Sequence, residues 1–555
     1  MKLNRITSLL MLSSMPLLAN AASYEVVELP TRDLSVNQFG TVIDETGLML
    51  TTLNQPYNPP VDLSLLDLSV FPLTDPDGAA QGNFNDADYN LIGSFLYTQT
   101  ANRSVFGQKL AAQIGYQTDG TEYSYVNGFD IGSEGTNGFT FAQRTTLGDS
   151  VNGTHIVGTM AGVFNEIPFT TAEGVELLFT VNDFGSRAFV QVGDKVVALL
   201  PDELSAGGVS AAEAINDNLQ IAGSIGISLI ASLQTAVDNC LDEELRGDQP
   251  VEVCLYSIRA GTATSASQFQ AATERRAVIW QVDSTGDLID KTVYGLAFEP
   301  DAENTVLLST QAVEINNAGV AVGTSAVPIG SSFTQAAVAF ENGETIRLIE
   351  DDNLLPNIAT NINDNGYIVG YQNLRVGTAT RSKMFVINRN TEDFLFSNGF
   401  FVNSSTIPSA INNNNIVVGS GESEGGQTTR RRSGFVYDIE ADTFTNVNSL
   451  IACNSGYDIV GLNDINNSNE IIGDALVKRP VRNIRGVAVN DSNGDPVLVD
   501  AVVAVKLVPT GEAPSVCELT DEESASVKRQ GAGVGILTMF SLLIISLFRR
   551  RENSI

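Results

Sequence analysis

Histidine is almost missing from this chain: His155 stands alone among 555 residues. A histidine-rich metal centre is thereby excluded. A serine–histidine–aspartate arrangement could draw only on that residue, and its setting, His155-Ile156-Val157-Gly158, predicts packing or hydrogen bonding instead. Tryptophan also occurs once, as Trp280, which argues against a dedicated sugar-stacking surface. Basic residues are scarce, with 31 Lys and Arg against 65 Asp and Glu and a formal net charge of −34. Such a chain repels nucleic acid and anionic membrane surfaces over long range. It reads as the solubilising surface of a secreted or salt-adapted protein, with no nucleic-acid partner. Cysteine is limited to Cys240, Cys254, Cys453 and Cys517, at spacings that fit no zinc motif. In an exported chain disulfides are the default. Four cysteines allow three connectivities, and proximity favours Cys240–Cys254 and Cys453–Cys517.

Long apolar runs are confined to the two ends. Lys2 and Arg5 precede the short apolar core Leu9 to Leu18, and Ala19-Asn20-Ala21 supplies small residues for cleavage after Ala21. This is the pattern of a secretory signal, too short for a stable span, and it makes signal peptidase a partner. At the other end, residues 531–548 form an apolar stretch followed by Arg549-Arg550-Arg551. That length just spans a bilayer, and the arginines place the C-terminus in the cytoplasm. The organisation expected is a signal peptide (1–21), a repeat domain (22–508), an acidic linker (509–530), a transmembrane helix (531–548) and a basic cytoplasmic tail (549–555).

Between these ends one pattern recurs. Ile362-Asn363-Asp364-Asn365-Gly366-Tyr367-Ile368-Val369-Gly370 reads as strand, tight turn, strand, and Ile315 to Gly323, Ile411 to Gly419, Ile465 to Gly473 and Ile215 to Gly223 keep the same length. The Asn can bond its own backbone two residues on. The Gly three positions later suits a positive φ, and Asn415 and Asn469 are the next-best residues there. Leu219 breaks that rule, so its turn is expected to differ. The β-branched pairs that follow favour a strand, and the closing Gly signals a bulge or a close backbone approach. Val151-Asn152 to Gly158 is a copy one residue short, and Val36-Asn37 to Asp44 matches with Asp44 in place of the last Gly. Phe84-Asn85 to Gly93 is a further, longer copy. The turn residues expected are Asn37, Asn152, Asn216, Asn316, Asn363, Asn412 and Asn466.

The asparagines at 316, 363, 412 and 466 lie 47, 49 and 54 residues apart, a period that suits a propeller blade. Short apolar strands follow each turn, beginning at Arg187, Arg276, Ala337, Met384, Gly434 and Arg485, and a fourth strand such as Thr345 to Leu348 completes four per period. The fold expected is all-β: a β-propeller of six to eight blades, seven favoured, with the strand near Val26 completing the last blade. Residues Leu229 to Leu245 carry helical spacing and predict a small helical insertion stapled by Cys240–Cys254. Residues 45–150 are less regular and receive no assignment.

The Ile-Asn-x-x-Gly-x-Val-x-Gly hairpin followed by an Ala-Phe strand resembles the HAF family of extracellular repeat proteins. Arg187-Ala188-Phe189 is the nearest match to that family's His-Ala-Phe strand, although the His is never present. The likeness spans roughly residues 30–500 and extends to an exported group from marine Gram-negative bacteria. It implies a β-repeat fold and no established activity. The tail resembles the GlyGly-CTERM sorting signal, with Gly531-Ala532-Gly533 in place of the Gly-Gly pair. That resemblance implies cutting by a rhombosortase and passage to the surface, typically with type II secretion. Stable anchoring in the inner membrane, facing the periplasm, is the alternative.

Chemistry is thinly signalled, and no catalytic residue is assigned. Arg187, Arg276, Lys383, Arg432 and Arg485 sit at or beside the same strand start in successive units, which on a propeller approaches an anion-binding rim. Asp75, Asp77, Asp86 and Asp88, with Asn83 and Asn85, form an oxygen-rich cluster of the kind calcium prefers, though outside the EF-hand spacing; no other cofactor is expected. The function expected is a surface or secreted binding scaffold for a glycan or envelope protein, with no established catalytic activity. A propeller carbohydrate enzyme using paired carboxylates and a structural envelope protein are the alternatives.

Overall fold

The computed structural model describes residues 23–130, 142–261, 272–301, 303–391, 393–425 and 430–512. Seven four-stranded antiparallel sheets make up the body. From the innermost strand outwards, blade 1 is Ser35–Ile43, Met49–Pro56, Gln113–Thr118 and Tyr123–Tyr125; blade 2 is Thr145–Val151, His155–Met160, Arg187–Val192 and Lys195–Leu199. Blade 3 is Ser210–Ile215, Gln220–Leu229, Thr273–Val282 and Leu288–Tyr294, and blade 4 is Thr310–Ile315, Ala321–Ile329, Ser332–Glu341 and Glu344–Arg347. Blade 5 is Asn357–Ile362, Tyr367–Val376, Ala379–Asn388 and Asp393–Phe396, and blade 6 is Thr406–Ile411, Ile416–Glu422, Arg432–Asp438 and Thr443–Asn446. Blade 7 takes Asp458–Ile465, Ile471–Pro480 and Leu498–Pro509 from the end of the chain and its outer strand, Tyr24–Glu28, from the beginning. The protein is a seven-bladed β-propeller closed by its N-terminal strand.

The core is divided into one layer per blade interface. Trp280, Val278 and Val282 face blade 2 in one layer, while Ala277 and Ile279 of the same strand face blade 4 in the next. A strand buried on both faces needs no polar alternation, which is why the third strands read as continuous apolar runs. Leu29, Ile43, Met49 and Ile472 fill the layer between blades 7 and 1. Each blade therefore depends on its neighbours for burial.

The innermost strand of every blade carries a β-bulge, at Thr41, Gly148, Glu213, Val313, Thr360, Ser409 and Asn463. The motif-closing glycine lies opposite the residue before the bulge. At Gly223 a Cβ would stand 2.0 Å from the Ala211 carbonyl and 2.8 Å from the Trp280 ring; at Gly370 it would stand 2.4 Å from the Phe385 ring. The expected close approach is thus met from two sides, by backbone and by an aromatic of the third strand.

The turn asparagines do more than start turns. Asn216, Asn316, Asn363, Asn412 and Asn466 are buried, and each Oδ1 accepts N–H bonds within its own turn. Each Nδ2 donates to the main-chain carbonyl of the equivalent residue in the next blade, through Asn316, Asn363, Asn412, Asn466 and Asp44, at 2.8–3.3 Å. Leu219 does not turn differently: it adopts φ 58°, the left-handed conformation of Gly319 and Gly366.

Several expectations are corrected. Asn37 lies inside a strand of blade 1, where its Oδ1 accepts the Val502 N–H. The turn of that blade is Asp44 to Gly47, seven residues later, because the Asn-x-x-Gly spacing recurs there with Asp in the leading position. Asn85 caps the helix Asp86–Leu96 and belongs to no hairpin. Arg485 to Ala488 is not a third strand; it lies in the excursion 481–497, and Leu498–Pro509 takes the strand position. The 100 positions between Asn216 and Asn316 hold one blade with the helical insertion.

Helices are few. Pro76–Ala80, Asp86–Leu96 and Gln99–Arg103 sit in blade 1's excursion, and Ala231–Leu241, Glu243–Arg246 and Val251–Ala260 in that of blade 3. Cys240–Cys254 joins two of the latter. Cys453 is also disulfide-bonded, and Cys517 lies outside the described residues. So do the signal peptide, the span 531–548, the sorting motif and the basic tail. Among the described residues no helix is long and apolar enough to cross a membrane.

Removing Asn363 Nδ2 leaves the buried Asn412 carbonyl without this donor. Asn363→Ala is expected to cost about 1–3 kcal/mol in urea unfolding. Asn152, exposed at φ 57° with no such donor role, should tolerate Asn152→Gly almost neutrally. Equal losses would refute the asparagine link.

Candidate functional site

Strand direction sorts the connections onto two faces. First-to-second-strand hairpins, with the turn asparagines, crowd one face around the central channel. Second-to-third-strand connections emerge on the other, and every long excursion lies there: 57–112, 161–186, 230–272 and 481–497.

The channel encloses about 380 Å³ and is strongly acidic. The residue after the bulge is Asp149 in blade 2, Glu314 in blade 4, Asn361 in blade 5 and Asp464 in blade 7. Their carboxylates accept main-chain N–H groups at the channel wall. Asp149 takes Ser150 and, across the interface, Ile215; Asp464 takes Ile465 and, across the interface, Ile43, at 2.7–2.9 Å. Glu314 accepts the Ile315 N–H and the Asn361 amide. Burial pushes Asp149 up to about 7 and Asp464 up to about 6, and raises Glu314 well above the ordinary carboxylate range. The N–H bonds oppose that shift, and the neighbouring acids reinforce it.

At the channel mouth the residues following the turn residues are acids or amides: Asp217, Asn317, Asp364, Asn413, Asn467 and Glu45. Asn317 Nδ2 donates to Asp217 at 2.8 Å and to Asp364 at 3.0 Å, and Asn413 Nδ2 donates to Asp364 at 2.8 Å. Both Glu45 oxygens accept the Asn467 N–H. Burial first, then Asp217, Asp44 and Asp364, raise the Glu45 pKa, with the Asn467 bond opposing. These acids are knitted into the turns.

The opposite face is built differently. Leu65 of the first excursion, Phe164 and Phe179 of the second, and Val253 and Tyr256 of the third share one apolar cluster, forming a canopy over blades 1 to 3. Ile484 joins the blade 7 excursion to the first through Ile92 and Leu96. Beneath the canopy lies a cavity of about 500 Å³ lined by Tyr97, Phe164, Tyr256, Arg103, Arg144 and Arg259, among others. A second space of about 220 Å³ shares Arg144, Ala161 and Gly185 with it and adds Arg275 and Glu213. Glu213 also lines the channel. Lys109, fully buried behind Phe164 and Tyr256, donates to the carbonyls of Ala101, Ser104 and Phe106. Burial pulls its pKa down to about 7.

The basic residues singled out in the sequence are placed as clasps. Arg187 is buried, stacks on Phe184 and donates to the Gly207 carbonyl. Arg276 donates to Leu308 and pairs with Glu274, and Lys383 donates to Val402 and Ser404. In all three the acceptors include the connection into the next blade. Arg432 donates to Ser420, one strand away in its own blade. Arg485 lies in a different excursion, over the Tyr89 ring and 3.1 Å from Asp86. Donors spent on the protein's own carbonyls do not make a shared rim.

The oxygen-rich cluster resolves into caps. Asp75 and Asn85 cap helices, and buried Asp88 accepts from Thr74, Asp75 and Asn85. Asp86 pairs with Arg485, and Asp77 is exposed. Among the described residues no group of three or more acidic, His or Cys side chains is placed to hold a metal. His155 is buried, its Nδ1 3.0 Å from Thr154 Oγ1. The channel acids carry a faint sequence signal, an acid two residues before the turn Asn in Glu314-Ile315-Asn316 and Asp464-Ile465-Asn466. The cavity arginines carry none.

Fold and site together define a seven-bladed propeller with one self-satisfied face and one canopied face. The profile of a family described as "Protein of unknown function (DUF3466)" matches residues 1–551, and the chain belongs to that family. Comparison with curated proteins returns no match. Among solved structures the chain is similar to the β-propeller domain of the Trilobed protease from Pyrococcus furiosus, at 9% identity and TM-score 0.31, over 64% of this chain and 95% of that one. A puromycin-hydrolyzing peptidase from Mycobacterium tuberculosis matches at 11% identity and TM-score 0.39, over 90% of this chain and 57% of its own. The endosialidase of phage phi92 matches at 5% identity and TM-score 0.34, over 90% and 71%. Likenesses at this level speak to neither chemistry nor partners.

The raised acids carry a pH signature. The native state holds these protons where the unfolded chain has released them, from the ordinary aspartate value of 3.8 up to about 7. Their contribution is therefore present at low pH and lost as pH rises through 6 to 7. Asn serves at the same position in blade 5. Asp149→Asn with Asp464→Asn should raise the melting temperature relative to wild type by several degrees at pH 8 and by little at pH 5. A pH-independent difference would refute the assignment.

Proposed function

We propose that this chain is an exported, non-catalytic binding propeller whose ligand site is the cavity beneath the canopy. The carrying observation is the division of labour between the faces. Hairpin-face polar groups bond one another around the ring, whereas excursions from blades 1, 2 and 3 together enclose a space of small-molecule size. The Cys240–Cys254 disulfide supports an oxidising compartment. Signal peptidase would release the mature chain after Ala21. The tail would then anchor it in the inner membrane, or pass it to rhombosortase and type II secretion for the surface. Intact mass and location separate these: a species from Ala22 to near Gly531 outside the inner membrane supports sorting, and one retaining Arg549 to Ile555 in that membrane supports anchoring.

A second reading has one observation in its favour. Asp149, Glu314 and Asp464 line a single channel with raised pKa values, as a carbohydrate enzyme with paired carboxylates requires. Their oxygens, however, are already occupied by wall N–H groups.

A thermal-shift screen of the purified chain against charged and neutral small molecules and glycans separates the readings. Binding beneath the canopy predicts ligands recovered unaltered, whose stabilising effect is lost in Phe164→Ala and kept in Asp149→Asn. A glycan cleaved by wild type but not by Asp149→Asn or Glu314→Gln would replace binding with catalysis.

A further inference from the structure

The canopied cavity has a composition at odds with the rest of the molecule. Acidic residues outnumber basic ones by 65 to 31 in the chain. Yet the larger cavity is lined by Arg103, Arg144 and Arg259 and, among the described residues, by no Asp or Glu. The adjoining space adds Arg275 and the single acid Glu213. The arginines come from separate parts of the chain: the end of helix Gln99–Arg103, the entry to blade 2, helix Val251–Ala260 and the third strand of blade 3.

Two of them have nothing else to do. Arg144 is exposed and Arg103 half-buried, both line this space, and among the described residues neither guanidinium bonds or pairs with any protein group. Elsewhere the buried cations are spoken for, as Arg187 and Lys383 are by carbonyls. Arg259 is 5% exposed; its terminal nitrogens donate to the Ala206 and Asn182 carbonyls, while its Nε is buried without a partner. Arg275 is half-buried, with the Glu213 charge as its nearest compensation. Arg259 has the Asp183 charge nearby, whereas Arg144 and Arg103 have no such partner among the described residues; guanidinium groups that converge with so little compensation call for an anion, and their planar fork matches a carboxylate or sulfate. The remaining walls combine the rings of Tyr97, Phe164 and Tyr256 with small aliphatic side chains and amides such as Asn54 and Gln113; Tyr97 and Tyr256 donate their hydroxyls to the main-chain carbonyls of Pro56 and Asn102, which leaves the rings as apolar lining.

We infer that the cavity binds a small organic anion, a carboxylate or sulfate carried on a ring-sized, largely apolar body, with Arg144 and Arg103 as its charge partners. This rests on the binding reading above and specifies its ligand class. An acidic sugar and an aromatic acid share the necessary chemistry. The acidic exterior disfavours anions elsewhere on the surface, so selectivity arises from the cavity alone.

The test is calorimetric titration of the full chain with benzoate, 2-naphthoate, glucuronate and phenyl sulfate. Each is paired with a neutral counterpart, such as benzamide or glucose, and inorganic sulfate serves as an anion without a body. At least one ring-bearing anion should bind, at least tenfold tighter than its counterpart and than inorganic sulfate, and more weakly as NaCl is raised. Arg144→Ala and Arg103→Ala should each weaken it roughly tenfold, with unchanged melting temperature because neither side chain supports the fold. Arg144→Lys should recover part of the loss. Equal binding of charged and neutral members, or affinity unaltered in both alanine variants, overturns the anion assignment while leaving a binding propeller intact. Binding of inorganic sulfate as tight as the best organic anion overturns the ring-bearing body. Absence of binding by every anion overturns the inference, and only silence of the neutral compounds as well removes the binding reading with it.

Discussion

The molecule turns on the double use of one amide. A turn asparagine accepts bonds from its own hairpin through Oδ1 and donates through Nδ2 to the next blade, so the group that shapes a blade also joins it to its neighbour. Five asparagines carry that link from blade 3 round to blade 1. There the residue is Asp44, which has no N–H to give. The polarity reverses, and the Asp44 carboxylate accepts the Gly153 N–H of blade 2. Blade 2 has the tight two-residue turn Asn152-Gly153, which reaches no neighbour in this way, and at its interface with blade 3 Asp149 accepts the Ile215 N–H instead. Every interface thus has a polar joint near the axis, with an apolar layer outside it.

This arrangement explains what could be read in the sequence. The asparagine and the closing glycine answer to geometry repeated in nearly every blade, and such residues recur visibly. The glycine must admit a carbonyl and, in blades 2, 3, 5 and 6, an aromatic ring as well; asparagine is the small side chain that both accepts and donates. Asp44 is legible only as an exception, because the sequence offers Asn37-x-x-Gly40 and Asp44-x-x-Gly47 within eleven residues and the Asn copy is the better match to the motif. Leu219 is hard to read for a related reason. A leucine at φ 58° is costly in isolation, but bonds on both sides of its turn, from Asn216 to Asn316 and within the hairpin, impose the conformation.

The candidate site was almost illegible. Its arginines lie at 103 and 259 in excursions whose lengths follow no period, at 144 before blade 2 and at 275 in a strand of blade 3, and their proximity exists only once three excursions share Phe164, Val253 and Tyr256. The basic residues that do recur, Arg187, Arg276 and Lys383, recur for the opposite reason. Each anchors a third strand to the connection entering the next blade, a joint repeated in blades 2, 3 and 5 that serves the ring and not a ligand.

Periodicity and function are separated here by physical necessity. Ring closure asks the same of each blade, so the hairpin face converges on one solution whose donors and acceptors satisfy one another, leaving little to offer a ligand. A ligand of low symmetry needs contacts that differ from blade to blade. Those can arise only where chain length is free to vary, on the face of the second-to-third-strand connections. Excursions confined to blades 7, 1, 2 and 3 break the sevenfold arrangement there, and Arg103, Arg144, Arg259 and Arg275 converge on that side. In a chain so acidic, unpaired cations held together by a rigid ring would repel one another without a partner. Their convergence in a cavity also lined by Tyr97, Phe164 and Tyr256 is the feature that the closure of the propeller does not require.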